Sequence, residues 1–150
     1  MHEAPRPRRC HAVMAASLVV AVWPQIGAAD GALAVGLPKD VAAEGFAYNF
    51  AVNEPTPAEA NAKALADCKK PSPGVDPRAQ ALCAVVQTFH NRCFAVAMDP
   101  KDATPGVGWA VEDTKQEAGR SALAKCAATA GDDRRDFCKV TDTDCDGDAK

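Results

Sequence analysis

The stretch Thr56-Pro57-Ala58-Glu59-Ala60-Asn61-Ala62-Lys63-Ala64-Leu65-Ala66-Asp67-Cys68 decides the fold, because its pattern returns 58 residues later. The second version runs Thr114-Lys115-Gln116-Glu117-Ala118, then Ala122-Leu123-Ala124-Lys125-Cys126. Each version opens with a capping box: the threonine oxygen and the glutamate three residues on satisfy amides that a first helical turn leaves free. Helices therefore start at both sites. Ala60, Ala64, Leu65 and Cys68, like Ala118, Ala122, Leu123 and Cys126, fall on one helical face. Those stripes are mostly alanine, so each helix is expected to lie close against a sheet.

Working outward, Phe46, Tyr48, Phe50 and Val52 alternate with small or polar residues ahead of the first helix, as Val107, Trp109 and Val111 do ahead of the second. Such alternation is the mark of a strand with one buried face. Behind the helices, Cys83-Ala84-Val85 matches Cys138-Lys139-Val140 and opens another strand, in which Cys138 is expected to share an inward face with Val140. Further upstream, Ala34-Val35 is placed on Ala95-Val96 and gives one more strand per copy. The expected fold is α+β: a small disulfide-bonded domain of two ββαβ repeats, with two helices packed on antiparallel sheet. Copy one covers about residues 31–90, copy two about 91–145, and residues 146–150 form an acidic tail. Lys69 to Gln80, with Pro71, Pro73, Gly74 and Pro77, is an insertion in copy one and reads as a loop.

These motifs resemble the bacterial family called domain of unknown function 4189. The resemblance rests on Glu59-Ala60, Ala64-Leu65-Ala66 and Cys68, on Cys83 with Val85, on Asn91 with Cys93, on Val107-Gly108-Trp109, and on the second helix through Cys126. It covers about residues 31–145. It implies a secreted or periplasmic domain and supplies no activity or catalytic residue to carry over.

Residues 1–29 read as a signal peptide. Arg6, Arg8, Arg9 and His11 make a basic start, Ala12 to Trp23 an apolar stretch, and Gly27-Ala28-Ala29 a small-residue cleavage site. Twelve helical residues span only about 18 Å, too little for a hydrocarbon core of about 30 Å, so the stretch is not a membrane anchor. No transmembrane segment remains after cleavage. The net charge of −3 belongs to the whole chain, leader included. With no basic stripe after the leader, nucleic acid is excluded as a partner. Cleavage also removes Cys10 and leaves six cysteines: Cys68, Cys83, Cys93, Cys126, Cys138 and Cys145. An even number in an exported chain points to disulfides. Six cysteines admit fifteen pairings, among which the repeat favours Cys68 with Cys83 and its equivalent, Cys126 with Cys138; Cys93 and Cys145 are then left as a third pair.

Other chemistries are weakly represented. No Cys-x-x-Cys occurs and His90 is the sole histidine after the leader, so no metal or other cofactor is expected. His90 and Cys93 are close enough in sequence to suggest an activated thiolate, but a histidine at a hairpin turn beside a disulfide cysteine accounts for both. Asp142, Asp144, Asp146 and Asp148, with Gly147, resemble the opening of a calcium loop that stops before its last acidic ligand, and a solvated acidic tail is preferred. The run Asp132-Asp133-Arg134-Arg135-Asp136 reads as a solvated loop, and Tyr48, Phe50 and Trp109 as core. The expected function is a non-catalytic, secreted or periplasmic module that binds an unknown protein or envelope component. The alternatives are a small secreted hydrolase or cell-wall enzyme, and a stress-related structural protein of the envelope.

Overall fold

The computed structural model of the protein describes residues 29–150, so residues 1–28 of the expected leader, Cys10 included, lie outside the described residues. Strand β1 (Asp30–Gly36), helix α1 (Val41–Glu44), strand β2 (Ala47–Glu54), helix α2 (Pro57–Lys69), helix α3 (Pro77–Ala81) and strand β3 (Ala84–His90) make the first unit. Strand β4 (Cys93–Met98), strand β5 (Val107–Glu112), helix α4 (Lys115–Ala130), a 3-10 turn (Arg135–Phe137) and strand β6 (Lys139–Cys145) make the second. Each unit holds one three-stranded antiparallel sheet, ordered β2-β1-β3 and β5-β4-β6, with its first strand in the centre. The fold is α+β, as its repeated pattern predicts.

The alternation in each strand separates two kinds of apolar layer. On β1, Leu33 and Val35 point one way and Ala32 and Ala34 the other; on β4, Phe94 and Val96 oppose Cys93, Ala95 and Ala97. The large side chains of both sheets meet each other in one cluster, joined by Phe46, Phe89, Val107 and Val111. Phe50 and Phe94 rings approach to 4.3 Å between centroids across this layer. The alanine faces turn outward to the helices: Ala60, Ala64 and Cys68 of α2 against the first sheet, Ala118, Ala122 and Cys126 of α4 against the second. The result is helix, sheet, sheet, helix. Small residues let helix and sheet backbones approach closely, and large ones fill the wider gap between sheets. Gly108 shows how tight the outer layer is: a Cβ there would stand 2.4 Å from the Cys126 backbone nitrogen and 2.5 Å from the Ala122 carbonyl oxygen.

Both helices begin at the expected threonines. Thr56 Oγ1 accepts from Glu59 N and Thr114 Oγ1 accepts from Glu117 N, each at 3.2 Å.

The strand registers revise one equivalence between the units. Each central strand has one irregularity against the third strand, between Leu33 and Ala34 in β1 and between Val96 and Ala97 in β4. Superposing these puts Leu33 on Val96, two residues from the match of Ala34-Val35 with Ala95-Val96. A slip of two residues leaves every side chain on the same face, so alternation alone does not detect it. Three other expectations change. The insertion after α2 carries helix α3, started by Asp76 Oδ1 accepting from Arg78 N at 2.8 Å. Val140 is exposed and does not share a buried face with Cys138. The residues between β3 and β4 connect the two sheets, so His90 stands at a crossover and not at a hairpin.

Candidate functional site

Where the β1–α1 connection of the first unit leans over β5 and α4 of the second, a groove of about 510 Å3 opens. Leu37, Pro38 and Val41 line it from the first unit, buried Val107 and Gly108 with half-buried Trp109 form its floor, and exposed Lys125 on α4 completes its edge. The local sequence explains this shape. Pro38 ends β1 by fixing its own backbone, and Asp40 then caps the single turn α1 by accepting from Ala43 N at 3.1 Å. Thr129 holds the other side: its hydroxyl accepts from Val107 N at 2.9 Å and lies 2.8 Å from Val107 O, pinning the start of β5 to the end of α4. Trp109 is half-buried, stacked on Phe46 at 6.0 Å between centroids while also lining the groove.

The electrostatics of the groove are simple. Lys39 and Lys125 are both exposed at its edge, and among the described residues neither has a carboxylate within ion-pair distance. Asp40 is the acidic residue of the lining, and its carboxylate is engaged in capping α1. Leu37 is 47% exposed, a large apolar side chain facing solvent at the groove mouth. Shape and chemistry together make a concave, mainly apolar surface of the size that small ligands use.

The residues singled out by sequence lie elsewhere. Cys68 is bonded to Cys83, Cys126 to Cys138 and Cys93 to Cys145. His90 faces the chain's own strand end: Nδ1 is 2.6 Å from Ala29 O and 3.4 Å from Asp30 Oδ1, and Nε2 is 3.0 Å from Asn91 Nδ2. With Cys93 Sγ in a disulfide, this neighbourhood presents no thiolate to activate.

The four aspartates at the end of the chain diverge. Asp142 accepts from the Tyr48 hydroxyl at 2.5 Å, a bond between the two units that, after burial, helps raise the Tyr48 pKa to about 12. Asp144 lies 3.5 Å from Lys115 Nζ. Asp146 is fully buried, and its carboxylate accepts from Asn53 N at 2.8 Å and Asn91 N at 3.1 Å. Gly147 N in turn donates to Asn53 Oδ1 at 3.0 Å. Asn53 and Asn91 both have positive φ, a conformation asparagine tolerates better than most residues. The segment read as a solvated tail is thus pinned to the first unit at its start, because the amides of Asn53, at the irregularity of β2, and of Asn91, in the bend after β3, need an acceptor and Asp146 supplies it. Among the described residues, no group of three or more His, Cys, Asp or Glu side chains is arranged to hold a metal.

The mixed-charge run is likewise partly structural. Arg134 donates to Asp99 through Nε at 2.8 Å and Nη2 at 2.6 Å, and its guanidinium lies 4.1 Å above the Phe137 ring. The two Arg134 bonds are the main cause that lowers the Asp99 pKa to about 2.

The groove residues Leu37, Lys39, Trp109 and Lys125 had no shared signal in the sequence. They come from both units and follow no common spacing; Trp109 alone stood out, and as core.

A family model described as a domain of unknown function (DUF4189) matches residues 31–145. No match was found among curated proteins, and none among solved structures.

Proposed function

The chain belongs to the DUF4189 family, and on that premise we propose that it is an exported, non-catalytic binding module of the cell envelope or extracellular space. The groove over Trp109 is the observation that carries this reading. Export is supported by the leader pattern in residues 1–29 and by three disulfides, which belong to an oxidising compartment. No helix among the described residues is long and apolar enough to cross a membrane.

A hydrolase built on Cys93 and His90 has less support, since it would require the Cys93–Cys145 bond to open. A purely structural role leaves the groove without an occupant.

The test uses the exported protein, from which cleavage of the leader removes Trp23 and leaves Trp109 as the sole indole. Fractionated envelope extract and culture medium are titrated against its emission. At least one fraction is expected to shift the Trp109 signal, with Leu37→Glu, an exposed-site change, abolishing the response. Emission unmoved by every fraction would sink the binding reading.

A further inference from the structure

We propose that the groove selects small ligands with an apolar or aromatic body and one carboxylate. This rests on the reading of the groove as the binding site and goes further, to the chemistry of its occupant. Three observations bring it about. The walls from Leu37, Pro38, Val41 and Val107 are apolar, and Trp109 adds a flat aromatic surface at the floor. The polar groups of the lining are partly used: Thr129 Oγ1 is committed to Val107, and one oxygen of Asp40 to the Ala43 amide. A neutral polar ligand therefore finds few free partners there. What remains is one carboxylate, Asp40 with its second oxygen free, against two ammonium groups without an ion-pair partner among the described residues, Lys39 from the first unit and Lys125 from the second, so the lining carries a net positive charge.

An apolar floor below two unpaired ammonium groups is complementary to a molecule that is greasy at one end and anionic at the other. Burying the body against Trp109 and Leu37 removes apolar surface from water. A carboxylate at the mouth meets the ammonium groups without being desolvated, so the interaction selects for charge at little cost. A cationic head group in the same place meets two lysines against the single Asp40 carboxylate, a net repulsion. The two units contribute one lysine each, so the site exists only when the sheets are assembled.

The experiment titrates 4-phenylbutyrate, 4-phenylbutanol and 4-phenylbutylammonium into the exported protein, free of the leader and its Trp23, and follows Trp109 emission. The carboxylate is expected to bind about tenfold more tightly than the alcohol, as for a hydrogen bond strengthened by charge, and the amine to bind least. Changing Lys39→Gln together with Lys125→Gln is expected to erase the preference for the carboxylate while leaving alcohol binding within about twofold. Equal affinity for all three probes, or a carboxylate preference that survives the double change, overturns the proposal but leaves a binding groove. Absence of any response, with the protein folded by its unfolding transition, overturns both this proposal and the binding reading beneath it.

Discussion

In the second unit, the first residue of the central strand, Cys93, is bonded to the last residue of the third, Cys145. In the first unit the equivalent register pair is Asp30 and His90, whose Oδ1 and Nδ1 lie 3.4 Å apart. The other end of the central strand differs in the same spirit. Gly36 packs directly beneath the Ala79 carbonyl of α3, whereas its equivalent Asp99 is held by Arg134 from the turn after α4. Both units therefore use the segment between helix and third strand to lock the central strand, one by backbone contact and one by an ion pair. The comparison teaches that the shared pattern sets connectivity and register, while the fastening at each strand end is free to vary. The second unit carries the covalent tie and the part-buried ion pair, and the first is secured in part by the Asp146 clamp that reaches it from the end of β6.

Breaking the covalent tie tests this asymmetry most strongly. In the chain-entropy model, removing Cys93–Cys145, with a sequence separation of 52 residues, costs about 4 kcal/mol. Removing Cys68–Cys83 or Cys126–Cys138, with separations of 15 and 12, costs about 3 kcal/mol each. Denaturant unfolding of the three paired Cys→Ser variants, under oxidising conditions, is expected to rank them in that order.

The clamp comes next. Asp146→Ala leaves the Asn53 and Asn91 amides without their acceptor, a loss of about 2 kcal/mol for buried donors. Asp146→Asn, which keeps one carbonyl oxygen, is expected to lose less, and hydrogen exchange at Asn53 and Asn91 separates the clamp from general destabilisation.

The ion pair gives a pH signature. Because the Asp99 pKa is lowered to about 2, its contribution is fully present above the ordinary aspartate value near ~4 and is lost as pH falls through about 2. The melting temperature of the protein is therefore expected to fall more steeply across this acidic window than that of Asp99→Asn, and the two curves to converge at its lower end. The smallest effect belongs to the counterpart of the disulfide in the first unit: His90→Ala, at a half-exposed side chain, is expected to change stability by less than about 1 kcal/mol. A loss comparable to that of a disulfide would mean that the two ties are equivalent after all.

Much of this architecture is legible in particular residues. Thr56 with Glu59 and Thr114 with Glu117 mark helix starts that side-chain chemistry alone can fix, since a capping box is completed within four residues. Tyr48, Phe50 and Val52 mark strand β2 and the face that carries its large side chains for the same local reason, although the alanines of its other face are buried too. The strand equivalence was displaced by two residues because a period of two repeats after that slip. The candidate site was the least legible part: Lys39 and Lys125 are ordinary surface lysines in sequence and come to line one groove only when the β1–α1 connection of the first unit packs beside β5 and α4 of the second.

Sequence by itself determined the elements that close within a few residues, the sorting of small and large side chains to opposite strand faces, and the family to which the chain belongs. Tertiary structure decided the rest: that the large faces of two sheets meet each other, that Asp146 folds back onto Asn53 and Asn91, and that Trp109 is both core and groove floor. The physical reason is range. Caps and alternation are written in neighbouring residues, whereas a clamp or a groove joins positions that only the packed chain brings together.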